Sequence, residues 1–453
     1  YTAAVTISFP AGTATAVGGK LKAFEVVISN GLGTTLVGNE NDNQLIGGSG
    51  PDTILGMGGN DILIGNGGND ILDGGEGIDT VDYSGSLSGV IVNLLTRTAN
   101  GADISIDTLL NIENIIGSPF ADDLIGNDGP NIITGGLGDD ILAGGLGDDT
   151  YIFTDNSGTD TVIEALNGGT DTLDFSAVTV DLTIVLGSVT VSGSGIRVTH
   201  SNANIEKVIA GTGFDTLSYA GNAVDQSVRL TGLGSIDGFN GTASGLGGSF
   251  ENVNALLGGN RTDTLYGLNG LALWQFNPTS SSYTSGGRTL TFAAIEKLVG
   301  GSAADSFVFA EGQTFAGNID GGAGQDTLSF AGSTSGRTIT LTGLGATDGV
   351  VGNAAGGSFT NINTLIGGAG VDMLKGLNAD STWQITTAGA GNYVSGKTLA
   401  FSGIESLSAG TGTDTLDYSL YATGVVVNLA TGTATGLITI TGFENITGSP
   451  FND

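Results

Sequence analysis

GGSGPDTIL, GMGGNDILI, GNGGNDILD, GGEGIDTVD: residues Gly47 to Asp82 repeat one nine-residue unit four times in succession. Each unit reads glycine, glycine or a substitute, any residue, glycine, any residue, aspartate, and then a short apolar triplet. The glycines stand where a chain must reverse within a few residues and adopt positive φ, which glycine does without steric cost. That half of the unit is a turn. In triplets such as Thr53-Ile54-Leu55 and Ile62-Leu63-Ile64 successive side chains point to opposite faces, so the middle residue faces a core. That half is a short strand. One turn and one strand advance the chain by half a coil. Two units then close one coil of a parallel solenoid, and equivalent turns recur on the same edge every eighteen residues. This spacing predicts that Asp52 stacks near Asp70, and Asp61 near Asp79.

Stacked carboxylates repel one another unless a cation lies between them. Turns rich in glycine also expose backbone carbonyls to the same gap. Hard oxygen ligands of this kind suit calcium, which accepts six to eight of them in flexible geometry. Glycine turns that bound no metal would have no need of an aspartate at a fixed sixth position.

A second block follows a bridge: GSPFADDLI from Gly117, GNDGPNIIT from Gly126, GGLGDDILA from Gly135 and GGLGDDTYI from Gly144. Here the spacing pairs Asp122 with Asp140 and Asn131 with Asp149. The expected metal ligands are therefore Asp52, Asp61, Asp70, Asp79, Asp122, Asp140 and Asp149. Backbone carbonyls of Gly48, Gly50, Gly59, Gly68, Gly75, Gly77, Gly136, Gly138, Gly145 and Gly147 join them. Weaker positions are Asn43, in the worn unit GNENDNQLI from Gly38, and Asn131, together with Asp326 and Asp372 in isolated copies. Those isolated copies start at Ala210, Gly258, Gly300, Gly321, Gly367 and Ala409. None has a partner eighteen residues away, so each reads as a tight turn entering a strand, with half of a ligand set missing.

The rest of the chain is built from related material. Segment 1–37 carries two β-rich runs, Ala4 to Phe9 and Ala23 to Ser29, and reads as strands that cap or extend the solenoid. Block one spans 38–82. The bridge 83–116 fits wider coils with longer turns, block two spans 117–153, and 154–209 is a solenoid linker. Segments 210–319 and 320–416 are copies of one longer repeat: LTGLGSIDG at Leu230 matches LTGLGATDG at Leu341, and Trp274-Gln275 matches Trp383-Gln384. The tryptophans then read as equivalent core residues. Segment 417–453 repeats the bridge and stops at Asp453, the sixth position of a further unit. The chain reads as a piece of a longer one, whose open end stacks on another copy to give a head-to-tail filament.

Composition bounds the function. The 453 residues include 45 acidic and 12 basic side chains, a formal net charge of −33. Such a chain repels nucleic acid and anionic lipid, and its natural partner is a cation. No apolar run is long enough to span a membrane, and no signal peptide is visible. There is no cysteine, so calcium takes the place of disulfides as the staple. His200 is the one histidine, which rules out paired-histidine zinc sites and reads as a surface or edge residue. No nucleophile elbow or phosphate-cradling loop occurs. A calcium-dependent polysaccharide lyase would share the fold, but Arg229, Arg261, Arg288 and Arg337 are scattered instead of gathered near the repeats. The Asn-x-Ser/Thr triplets at Asn240, Asn260 and Asn445 match chance in so asparagine- and threonine-rich a chain.

The two blocks resemble the repeat-in-toxin (RTX) family of secreted calcium-binding proteins. The resemblance implies an all-β, right-handed parallel β-roll or β-helix solenoid with calcium rows along its edges. It also implies export through a one-step machine that reads a C-terminal signal. RTX repeats accompany enzymes, toxins, adhesins and surface layers, so they name no activity. Because repeat and bridge fill the chain, the expectation is a non-enzymatic, secreted or cell-surface structural protein that folds on binding Ca2+. Its expected partners are calcium, further copies of itself and a cell-surface or matrix polysaccharide. The alternative expectation is a non-catalytic folding and secretion region of a larger enzyme or toxin.

Overall fold

The computed structural model describes residues 6–9, 26–29, 33–164, 168–186, 190–200 and 204–453. These residues form strands and turns, with no helix among them, and so none long and apolar enough to cross a membrane. The chain divides into two compact units, Tyr1–Leu217 with Gly245–Asn252, and Ser218–Ser244 with Val253–Asp453. Each is a parallel β-roll solenoid of short strands.

In the first unit, Thr53–Gly58 pairs in parallel with Ile71–Glu76, setting Ile54 against Leu72. Ile62–Ile64 pairs with Thr80–Asp82, setting Leu63 against Val81. The repeat thus advances two strands per coil. The middle residue of each triplet points inward and its neighbours outward, the alternation a pleated strand imposes. Stacked in register, these inward residues form a continuous column: Leu45, Leu63, Val81, Ile115, Ile133, Tyr151, Leu173, Val208 and Phe250. Every member is buried.

The second unit has its own columns. Trp274, Phe307, Leu328, Leu365 and Phe401 occupy equivalent positions in successive coils, and the Trp274 and Phe307 rings stack with centroids 5.5 Å apart. Trp274 meets Tyr283 edge-on at 4.5 Å, and Trp383 meets Tyr393 in the same way at 4.7 Å. The two tryptophans are equivalent core residues. Gly267 and Gly376 lie beneath these pairs, where a Cβ would stand 2.9 and 2.7 Å from the indole rings.

The bridge differs from the expected wider coils. Val90–Asn93, Thr98–Gly101 and Ser105–Leu110 form an antiparallel meander. Its outer strands pair in parallel with neighbouring coils, Leu109 against Leu72 and Val92 against Leu124. Alternating hydrophobicity marks a strand but does not set its direction, so the reversals were hidden. The same device recurs at Thr183–Val185, Thr190–Gly193 and Ile196–His200. In the second unit it recurs at Ala272–Phe276, Ser281–Ser285 and Arg288–Ala293, and at Ser381–Thr387, Ala390–Ser395 and Lys397–Ser402. Most of segment 1–37 lies outside the described residues. Of its two expected runs, Thr6–Phe9 and Val26–Ser29 are strands, paired in parallel with each other. The side chain of His200 also lies outside the described residues, and its backbone ends the strand Ile196–His200.

Leu72 is fully buried between Ile54 and Leu109. Leu72→Ala should therefore lower stability by about 2–5 kcal/mol, read as a shift of the urea midpoint in saturating calcium.

Candidate calcium sites

The repeated aspartates make one contact that the spacing did not foretell. Each lends a carboxylate oxygen to the backbone N–H of the equivalent residue one coil earlier. Asp70 Oδ1 accepts from Asp52 N at 2.7 Å, Asp79 Oδ1 from Asp61 N at 2.7 Å, and Asp61 Oδ1 from Asn43 N at 2.7 Å. In the second block Asp140 Oδ1 accepts from Asp122 N at 2.9 Å and Asp149 Oδ1 from Asn131 N at 2.8 Å. All five of these links span eighteen residues. The ladder continues past each block: Asp70 N donates to Asp107 Oδ1 at 3.0 Å and Asp140 N to Asp160 Oδ1 at 3.1 Å.

The second oxygens divide the expected ligands into two groups. Oδ2 of Asp61, Asp70, Asp79, Asp140 and Asp149 is buried and takes no hydrogen bond. Asp52 and Asp122 instead accept from the N–H of Gly48 and Ser118 through Oδ2, both at 2.6 Å. Among the described residues none of these seven aspartates pairs with a lysine or arginine; the ion pair Lys207–Glu251, 2.7 Å, lies elsewhere. Buried, unpaired carboxylate oxygens are costly unless a cation neutralises them.

The turns leave room for this arrangement only because the first residue of each unit is glycine. A Cβ on Gly56, Gly65, Gly74, Gly135 or Gly144 would stand 2.0 to 2.4 Å from the Oδ2 of its own unit's aspartate. These first-position glycines were not among the expected site residues. Gly59, Gly68, Gly75, Gly77, Gly136, Gly138, Gly145 and Gly147 do have positive φ, whereas Gly48 and Gly50 do not, and Met57 and Asn66 take it at second positions. Successive turns press together: the carbonyl oxygen of Gly59 lies 1.8 Å from where a Cβ on Gly77 would stand. Orphaned carboxylate oxygens beside stacked carbonyls form a donor set that fits a hard divalent cation. Bound calcium would supply charge neutralisation there. The chain's contribution is to hold the carboxylates, exclude water and fix the spacing of the turns.

The weaker positions are placed differently. Asn131 is satisfied within the protein, its Oδ1 accepting from Asn127 N at 2.7 Å and its Nδ2 donating to Glu113 O at 2.6 Å. Asn43 Oδ1 accepts from Asn39 N at 2.8 Å. Asp372 uses both oxygens, from Arg337 N at 2.6 Å and Gly368 N at 2.7 Å, so that turn closes on backbone donors. Asp326 keeps a buried, unpartnered Oδ2. Its Oδ1 accepts from Asp305 N at 2.8 Å, across 21 residues. The isolated copies therefore do have ladder partners, at spacings other than eighteen, because longer turns or inserted strands lengthen the coil.

Sequence reasoning missed a further set. Glu113, Glu206, Glu296, Glu405 and Glu444 accept the N–H of Asp79, Asp171, Asp263, Asp372 and Asp414 at 2.8 to 2.9 Å. Each follows a buried apolar residue, Ile112, Ile205, Ile295, Ile404 or Phe443. That recurring apolar-glutamate pair at the start of a strand is the signal that would have found them.

The family comparison agrees with this geometry. A model of the RTX calcium-binding nonapeptide repeat, four copies long, matches residues 46–81 and again 116–151. The two blocks are RTX calcium-binding repeats. No curated protein matches the chain. The matched stretches hold five aspartates with an orphaned Oδ2, and Asp326 and Asp414 carry the same feature outside them.

Burial, with smaller contributions from neighbouring carboxylates, pushes Asp61, Asp70 and Asp149 up to about 6 and Asp140 to about 7, from 3.8. Asp79 and Asp122 are raised as well, by burial first. In the calcium-free protein the folded state thus retains protons that the unfolded chain releases above pH 3.8. Its stability is fully present below that pH and falls as pH rises through the window to about 7. Calcium binds the ionised form, so its stabilisation grows across the same window. In chelator, β-structure followed by circular dichroism should decline from pH 4 to pH 7.5, and the β-structure regained on adding calcium should rise. A β-signal in chelator that climbs with pH would contradict the site geometry.

Proposed function

We propose that this chain is a secreted, non-catalytic structural protein: a length of solenoid for a surface layer, matrix fibre or adhesin stalk that folds and stiffens on binding calcium outside the cell. RTX-repeat proteins are typically exported by bacteria, and where calcium is scarce the clustered carboxylates and the entropy of 82 glycines oppose folding. At free calcium a thousandfold above a site's dissociation constant, each site adds about 4 kcal/mol, so several sites decide the fold. Self-association into filaments and contact with an extracellular polysaccharide belong to the same reading.

The observation that carries it is the distribution of the carboxylate ladder. Links of the same kind recur throughout the second unit, far from the matched repeats, at Asp263, Asp326, Asp372 and Asp414. A framework built for stiffness along the chain has reason to repeat one cross-coil link throughout.

A calcium titration followed by circular dichroism, with a chelator control, tests the folding step. β-structure should appear cooperatively with calcium. In Asp70→Asn the amide oxygen still accepts the Asp52 N–H, but the orphaned oxygen is lost. The titration midpoint should then move to roughly tenfold higher calcium. Equal β-structure in chelator would overturn the reading. Electron microscopy in millimolar calcium should show filaments, and monomers alone would remove the assembly step.

A further inference from the structure

The last turn of the second block is followed by a coil that departs from the repeat. Asp149 N donates to Asp171 Oδ1 at 3.0 Å across 22 residues, where the blocks use eighteen. The new turn still stacks on the old one: Gly147 N donates to Gly168 O at 2.7 Å, and Thr170 N to Asp148 Oδ1 at 2.8 Å. The longer coil brings in Glu164, which is buried and lies outside the matched residues 116–151. Carboxylate oxygens of Asp149, Glu164 and Asp171 lie within 4.8 Å of one another, and all three residues are buried.

Two contacts show how Glu164 is held. The Tyr151 hydroxyl donates to Glu164 Oε1, and the same hydroxyl accepts from Gly144 N at 2.5 Å. Tyr151 is itself a fully buried member of the core column. A glutamate is thereby fixed from below against the Gly144–Asp149 turn. Independently of the cluster, Asp149 Oδ2 is completely buried and accepts no hydrogen bond. Three carboxylates gathered out of water around one such oxygen repel strongly unless a cation joins them.

The geometry points to a separate binding site for a hard divalent cation at Asp149, Glu164 and Asp171, with calcium as its ligand, closing the second block with a side chain that the nonapeptide does not supply. The regular turns offer aspartates from successive coils. This one adds a third carboxylate, and added ligand charge tightens calcium binding. Its ion is the one the block should hold most firmly. Asp171 also accepts a coil link on one side and donates its own N–H to Glu206 Oε2 at 2.8 Å on the other, so the site sits where the repeat hands over to the glutamate-linked coils.

The inference rests on the calcium reading of the blocks, and counting bound ions separates the two. Equilibrium dialysis of the full chain against calcium should give one ion fewer for Glu164→Gln than for the wild type, or one class of site weakened roughly tenfold or more. Glu251→Gln, which alters the Lys207–Glu251 ion pair outside the cluster and the ladder, should keep the wild-type number. Equal number and affinity in Glu164→Gln would overturn this site alone; a wild type that binds no calcium would overturn both. Should Glu164→Gln fail to fold, wild-type crystals grown in calcium decide the matter. An anomalous peak about 2.3–2.6 Å from oxygens of all three carboxylates is expected. A peak that omits Glu164, or none, would refute the site.

Discussion

A buried aspartate that gives one oxygen to the backbone of the coil before it, and leaves the other without a partner, is the contact on which this protein depends. The first oxygen sets the distance and register between coils, for it reaches a single N–H: Asp70 to Asp52, Asp79 to Asp61, Asp140 to Asp122. The second creates the electrostatic problem that a cation resolves. One side chain therefore couples stacking to metal binding. The first-position glycine follows from the same contact, since any side chain at Gly65 or Gly144 would occupy the carboxylate's place.

Away from the two blocks the chain keeps the link, and at several coils it meets the demand for a partner without a metal. Glutamate takes the accepting role at five coils, and Asp372 fills both oxygens with backbone donors. Asn131 does the same inside a block by substituting a neutral amide that the fold satisfies unaided. The apolar columns behind these turns are mostly aliphatic in the first unit, with Tyr151 and Phe250 among their members, and richer in aromatic rings in the second. Burial of those columns supplies the bulk of the driving force, and the carboxylates determine under which ionic conditions it prevails.

Much of the roll was legible beforehand because its period is exact and short. A triplet with one inward residue reads as a strand, and turns of fixed length between triplets set every second strand in parallel register. Asp52, Asp61, Asp70, Asp79, Asp122, Asp140 and Asp149 could thus be placed on common edges. The glutamates were not legible in the same way, because Ile112-Glu113 and its four relatives sit outside any nine-residue period. The meanders were hidden for a different reason: the strands Val90–Asn93 and Thr98–Gly101 show the same alternation whether they run parallel or antiparallel.

The amino-acid sequence by itself determined the parallel coil, its inward column and the sixth-position aspartates, since all three follow from local periodicity in glycine, apolar and acidic residues. Only the tertiary structure decided which carboxylate oxygens are spent on backbone donors and which are left bare. It also decided that Glu164 joins Asp149 and Asp171. Those outcomes depend on which atoms of distant coils approach within hydrogen-bonding reach, and inserted strands change that reach without leaving a mark on the repeat.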